Sequence, residues 1–192
     1  TVCKLLIKES VPKYVKEEAM ANILISSNHI LMPSDRNGYM QLYLYNMNGQ
    51  LLRKVTDGQY DVTDVYGYDE QTGATYYQAA GKNPMNREVY VTYKNGKTEC
   101  LTSRDGWNIA VFSADYKYFV NQWSDRNTPY EYGIFNNSGK ETVSLITNSE
   151  LKKTLAEYDL PSKEFFSFKT SEGVQLNGVM IKPANFDASK KY

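Results

Sequence analysis

A chain of 192 residues is long enough to bury one sizeable core or two small ones. Its 22 lysines plus arginines balance 22 aspartates plus glutamates and are dispersed along the chain, which excludes the basic footprint of a nucleic-acid binder. No apolar run reaches the roughly 20 residues that a membrane-spanning helix needs, and no charged-then-apolar leader pattern opens the chain.

Residues 1–9, which include Cys3-Lys4-Leu5-Leu6-Ile7, read as one isolated strand. Three similar units follow, at about 20–58, 59–106 and 107–148. Each starts with an apolar run, a polar turn and a second apolar run: 23–25, 26–29 and 30–32, then 65–68, 69–73 and 74–77, then 109–112, 113–117 and 118–120. The next loop carries a repeated tetrapeptide. Ser34-Asp35-Arg36-Asn37 recurs as Ser124-Asp125-Arg126-Asn127, 90 positions later, with Ala80-Gly81-Lys82-Asn83 as a degenerate copy between them. Strands of period-two alternation follow at 42–45, 89–92 and 132–135. Turns at Asn48-Gly49, Asn95-Gly96 and Ser138-Gly139 reverse them before a fourth strand. Asn-Gly between alternating strands predicts a type I′ hairpin, with positive φ at both central residues.

The turn glycines 49, 96 and 139 are spaced by 47 and 43 residues, a repeat period of about 45. Four antiparallel strands at that period are the pattern of β-propeller blades. The 17 tyrosines suit such pleated, half-buried surfaces. The expected fold is all-β: a partial β-propeller of about three four-stranded antiparallel blades, with residues 1–9 as the last strand of an earlier blade. Three blades and a remnant do not close a ring, so the chain is expected to be a piece of a larger protein. After residue 148 the pattern changes. Ser149 as N-cap, Leu151 and Leu155 four apart and Pro161 as a stop predict a short linker helix within 149–163. Residues 164–192 return to strands, at Phe165–Lys169 and Val174–Lys182 around a turn at 171–173, outside the blade register.

Little in the chain carries recognisable chemistry. No Gly-x-Ser-x-Gly elbow occurs, and the one histidine, His29, falls in a turn without metal ligands at suitable spacing. No catalytic, metal or cofactor residue is therefore assigned, and no cofactor is expected. Asp57, Asp61, Asp64 and Asp69 read as turn residues, because their spacing is not that of a calcium loop. Cys3 and Cys100 read as small buried residues on strands. Asn136-Asn137-Ser138 fits a glycosylation sequon but coincides with a hairpin turn.

The tail carries a family resemblance. Phe165-Phe166-Ser167-Phe168-Lys169-Thr170-Ser171-Glu172-Gly173, Leu176-Asn177-Gly178, Met180-Ile181-Lys182-Pro183, Phe186-Asp187 and Lys190-Lys191-Tyr192 resemble the junction between propeller and hydrolase in the prolyl oligopeptidase family. The similarity is greatest to its dipeptidyl peptidase IV branch, in the bacterial form. Within the blades, Ser34 to Tyr39, Val62 to Tyr68 and the Leu101-Thr102 to Asp105-Gly106-Trp107 turn are similar to that branch too, so the resemblance spans essentially the whole chain.

What the resemblance implies is a secreted or periplasmic serine exopeptidase that removes X-Pro or X-Ala dipeptides from peptide N-termini. An eight-bladed propeller would cap an α/β-hydrolase domain, whose first hairpin is residues 164–192, commonly in a homodimer. The catalytic triad of the family belongs to that hydrolase domain, so no triad residue is assigned here. The family also anchors the substrate's amino end with a propeller glutamate pair. Glu17-Glu18 lies too late in the blade order and its surroundings do not match, so it is not that pair.

A non-enzymatic propeller that binds peptides or proteins is the alternative, and the break in period after residue 148 favours the enzyme. In an up-and-down blade the loops between strands two and three share a face with the connections to the next blade. The hydrolase is expected to cover that face, with loops 10–20, 34–39, 57–61, 80–87, 104–107 and 124–130 bordering the chamber. Tyr14, Arg36 and Arg126 are the chamber-facing candidates. The plainer reading of both arginines is that they brace their own loops.

An open arc of blades leaves strand edges unpaired, and unpaired edges recruit other chains. The isolated chain is expected to self-associate, and light scattering at high micromolar concentration checks this. A strictly monomeric species would contradict the incomplete ring.

Overall fold

The computed structural model describes residues 3–10 and 14–192, without the side chains of Glu18 and Ala19. Thr1, Val2, the first part of the 10–20 loop and the Glu18 half of the acidic pair thus lie outside the described residues. Glu17 opens a short 3-10 segment, Glu17–Asn22. Three four-stranded antiparallel sheets follow in chain order. The first holds β1 (Leu24–Ile25), β2 (His29–Ser34), β3 (Gln41–Asn46) and β4 (Leu51–Lys54). The second holds β5 (Val62–Tyr68), β6 (Thr75–Ala79), β7 (Glu88–Thr92) and β8 (Thr98–Cys100). The third holds β9 (Trp107–Phe112), β10 (Tyr118–Ser124), β11 (Glu131–Asn136) and β12 (Glu141–Ile146). A helix, α1 (Ser149–Ala156), and a two-stranded hairpin, β13 (Lys163–Lys169) with β14 (Gln175–Ile181), complete the chain. This is the partial propeller that the repeat predicts.

Successive side chains on a strand point to opposite faces, so a sheet between two others must be apolar on both. That is why β6 carries two consecutive tyrosines. Tyr77, fully buried, packs with Leu31, Leu42, Leu44 and Val62 at the seam between the first and second sheets. Tyr76 faces the other way, into the seam with the third sheet. There its ring lies 4.6 Å from that of Phe112 and stacks on Tyr116 at 4.9 Å, while Phe112 reaches Phe119 at 4.9 Å. Burial pushes the Tyr76 phenol up to about 12 and raises Tyr77 as well, so both remain neutral and able to donate. Removing a ring such as Tyr77 costs about 3–5 kcal/mol in a packed core.

The sequence expectations for the turns need correction. None of Asn48, Asn95 and Ser138 has a positive φ, whereas Gly49, Gly96 and Gly139 lie at +79°, +86° and +79°. These are three-residue loops closed by a left-handed glycine, not two-residue type I′ turns. The Gly49 N–H donates to the Asn46 carbonyl (3.0 Å), and the Asn46 side-chain oxygen accepts from the N–H groups of Asn48 and Gln50, both at 3.0 Å. Asn136 does the same for Ser138 and Lys140. The asparagine that ends strand three therefore shapes the loop, and the sequon asparagine is one of these.

Residues 3–9 join no ladder among the described strands, although they occupy the place of a fourth strand. The Leu6 carbonyl fills the space beside Gly49, as the Leu101 carbonyl just after β8 does beside Gly139. Cys3 is exposed on this unladdered segment rather than buried, while Cys100, half-buried on β8, donates to the Thr102 carbonyl at 3.1 Å. The helix N-cap is Asn148, in left-handed conformation, and Ser149 is the first helical residue. Left-handed backbone suits asparagine better than serine, which displaces the predicted cap by one position.

His29 is not an isolated turn residue. Its Nδ1 lies 2.7 Å from Glu70 Oε2, across the first two sheets, and the Glu70 carboxylate also accepts from the Ser26 hydroxyl and from the Asn28 N–H at 3.1 Å. Partial burial opposes the Glu70 charge, but these three donors outweigh it and hold the carboxyl below its ordinary range. A lowered carboxylate contributes stability above its unfolded pKa, and that contribution fades as pH falls through the folded value. Glu70→Gln is expected to lower stability by about 1 kcal/mol at neutral pH, with the difference from the parent vanishing in acid, below roughly pH 4. Urea melts at several pH values test both parts. A constant difference from pH 3 to pH 8 would contradict the assignment.

Candidate functional site

In each sheet the loop between strands two and three opens at the same end as the connection to the next sheet. Residues 34–41, 79–88 and 124–131 thus neighbour 54–62 and 100–107. Hydrogen bonds from backbone N–H groups join these segments: Met40 N–H donates to the Asp61 side chain at Oδ1 (2.7 Å), Arg87 N–H to the Gly106 carbonyl (2.8 Å) and Asn108 N–H to the Arg87 carbonyl (3.0 Å). The acidic run is absorbed here and in neighbouring turns. Asp57 pairs with Lys54 at 2.6 Å, Asp64 accepts from Val65 N–H, and Asp69 caps the β5–β6 turn. Among the described residues no cluster of histidine, cysteine, aspartate or glutamate could hold a metal.

The two identical tetrapeptides make different contacts. Arg36 donates to Glu9 (2.6 Å), Ser34 Oγ (2.8 Å) and Tyr45 Oη (2.8 Å), and its guanidinium lies over the Tyr43 ring at 4.3 Å. Burial opposes the charge, yet Tyr45 and Glu9 hold the guanidinium above its usual value. Arg36 thus ties its loop to the 3–10 segment. Arg126 is exposed and lies over the Phe165 ring of β13 at 5.1 Å. Asn37 donates to Tyr43 Oη at 3.0 Å, whereas Asn127 pairs with the Lys163 backbone, accepting at 3.1 Å and donating at 3.4 Å. Asp125, despite partial burial, is held below the carboxylate range by the N–H groups of Asn127 and Thr128.

Phe165 closes one side of a cavity of about 520 Å³, whose other walls include Asn86, Trp107, Asp125, Arg126 and Tyr130. Trp107 is 45% exposed, with the Arg87 guanidinium 4.7 Å above its ring. A second cavity of about 660 Å³ lies on the other side of the 124–130 loop, against α1. Arg126 lines both cavities. Arg36 and Tyr14 line neither, and Tyr14 stands 64% exposed before the 3-10 segment.

Sequence reasoning missed Glu131. At the start of β11 it is 15% exposed and is held between Arg104 and Lys152, joining the inter-sheet connection to α1. Burial opposes its charge, but the two cations hold the carboxyl below its ordinary range. A signal for it existed in the repeat: Gln41, Glu88 and Glu131 each stand eight residues before a turn glycine. Gln41 donates to the Tyr60 carbonyl at 2.6 Å, and Glu88 accepts from Gly81 N–H at 3.2 Å and Tyr90 Oη at 3.3 Å.

Comparison with known proteins gives a consistent picture. Residues 1–130 match the family described as dipeptidyl peptidase IV (DPP IV) N-terminal region. A probable dipeptidyl peptidase 4 of Emericella nidulans is 27% identical over 183 residues, 93% of this chain and 24% of that protein. Dipeptidyl peptidase 4 of Arthroderma otae is 30% identical over 163 residues, covering 83% of this chain and 21% of that protein. The crystal structure of Porphyromonas gingivalis dipeptidyl peptidase 4 superposes with a TM-score of 0.94 at 33% identity, over 100% of this chain and 27% of that one. The chain thus spans about a quarter of the length of these relatives.

Gly106 lies at φ +130° beneath the 124–130 loop, and a Cβ there would run into the Ser124 carbonyl oxygen. Gly106→Ala is expected to destabilise the chain by about 2 kcal/mol through backbone strain and loss of that approach. A denaturant melt measures it. A loss under about half a kcal/mol would mean the loop end is slack.

Proposed function

We propose, because the chain belongs to the dipeptidyl peptidase IV family, that it is propeller from a serine exopeptidase that releases X-Pro or X-Ala dipeptides from peptide N-termini. In this reading residues 164–192 open the hydrolase domain, which supplies nucleophile and base, and the propeller shapes the route of peptides to it. The observation that carries the reading is the seat of β13: it lies at the loop end of the third sheet, with Phe165 under Arg126 and Lys163 paired to Asn127. The turns at Gly49, Gly96 and Gly139 lie at the other end of the strands. A domain that continues from the hairpin would cover the loops and leave those turns to solvent. Arg126, at the rim of both cavities, is then a chamber residue that peptides meet, with Arg36 and Tyr14 further round the same face. The protein acts as a secreted or periplasmic homodimer in this proposal. No helix of the described residues is long and apolar enough to cross a membrane.

Gly-Pro and Ala-Pro chromogenic amides test the reading in two steps. The chain alone is expected to give no turnover, and the complete protein that carries it turnover abolished by a serine-directed inhibitor. In the complete protein, Arg126→Ala should lower kcat/KM roughly tenfold, the equivalent of about 1.4 kcal/mol, with a smaller effect from Arg36→Ala. Lys97→Ala and Lys140→Ala, beside the outer turns, should change little. Equal and negligible effects at all four positions would sink the assignment of the loop face to the chamber.

A further inference from the structure

We infer that Glu131 is a positioning residue that locks the chain leading to the hydrolase onto the propeller. The inference rests on the reading of residues 164–192 as the entry to that domain. Glu131 uses both oxygens for partners outside its own sheet ladder. Oε2 takes the Arg104 guanidinium from the connection between the second and third sheets, and Oε1 takes the Lys152 ammonium from α1. The Arg104 guanidinium carbon itself lies over the Trp123 ring, 3.2 Å from its centre. The carboxylate is the least exposed of the three groups, at 15% against 51% for Arg104 and 37% for Lys152, so it is the centre of the cluster.

Among the described residues, apolar packing against the three sheets buries none of these later elements. Helix α1 has no buried residue, and β13 is exposed at every position. Their attachment is polar and converges on one short stretch of the third sheet. Lys152 meets Glu131, the Asn148 side-chain amide donates to the Tyr130 carbonyl, and Lys163 exchanges two hydrogen bonds with Asn127. The equivalent residues of the other two sheets, Gln41 and Glu88, are spent on their own or the adjoining loops. Of the three repeat positions, the third alone reaches forward into the chain beyond the blades. A partly buried carboxylate shared by two cations is stronger than an exposed pair, and its loss leaves two cations facing each other.

The test uses the complete protein, with hydrogen exchange over 149–156 and 163–169 and steady-state kinetics on an Ala-Pro amide. Glu131→Gln keeps the shape and removes the charge. It should speed exchange in both segments roughly tenfold and lower kcat with little change in KM, since Glu131 touches no substrate. Lys152→Met removes one of the two contacts and should move both readouts in the same direction, and the double variant should be no worse than Glu131→Gln alone, because the Lys152 contact is already lost there. Lys153→Met, whose partner Glu150 lies on the same helix, is the control and should alter neither readout. Unchanged exchange in both segments, or additive effects of the two variants, would overturn the inference. Should Glu131→Gln fail to fold, the exchange rates of Lys152→Met alone decide between the same two outcomes. If the parent protein turns over no dipeptide amide, the exopeptidase reading fails while the exchange data still judge the lock.

Discussion

An antiparallel sheet has two faces, and in this protein each apolar face is dried by what lies next to it: another sheet at two seams, and Ile7, Met20 and Ile23 over the outer face of the first sheet. The middle sheet shows the consequence. All five residues of β6 are buried, with Tyr77 turned into one seam and Tyr76 into the other. Strand β12, last of the third sheet, is exposed along its whole length. The hydrophobic term scales with the area removed from water, so it is concentrated in the two seams and under Ile7, Met20 and Ile23 at the first sheet, and falls away toward β12. The loops that line the two cavities are mounted on edges that these seams hold in place.

Charged contacts serve a different purpose. They cluster at the two ends of the strands, where sheets meet without apolar cover. Glu9 with Arg36 joins the 3–10 segment to the first sheet, and Arg104 with Glu131 joins the second sheet's exit to the third. The two junctions occupy related places in the repeat with their charges exchanged. The carboxylates of both pairs are largely buried, 9% exposed at Glu9 and 15% at Glu131, so losing either cation would leave a shielded charge uncompensated, and each pair fixes how its two segments meet. The His29–Glu70 contact does this at the opposite end of the first pair of sheets.

The duplicated tetrapeptide separates local from tertiary information. Ser-Asp-Arg-Asn forms a polar loop in both places, as its residue types require. Its arginines and asparagines nevertheless end on unrelated partners, Glu9 and Tyr43 in one copy, Phe165 and Lys163 in the other. A long side chain at a loop tip takes the partner that the rest of the fold brings within reach, and four residues do not encode that.

The class of fold was already legible in the order of the residues. The glycine spacing, the period-two strands and the break at residue 148 were enough to place twelve strands in three sheets, then a helix and a hairpin. Periodicity is local and repeated, so errors at one position are corrected by the other copies. Turn positions were legible while turn geometry was not, because the loops are shaped by the side chains of Asn46 and Asn136, one residue beyond the strands read at 42–45 and 132–135. Leu151 and Leu155 marked the helix, but not the Lys152 that fastens it. The partnership of His29 with Glu70, the exposure of Cys3 and the place of Glu131 between Arg104 and Lys152 arise only in the folded chain. Each depends on residues about 20 to 40 positions apart meeting at a sheet junction, or on a ladder partner that no nearby residue supplies, and no spacing along one chain encodes those distances.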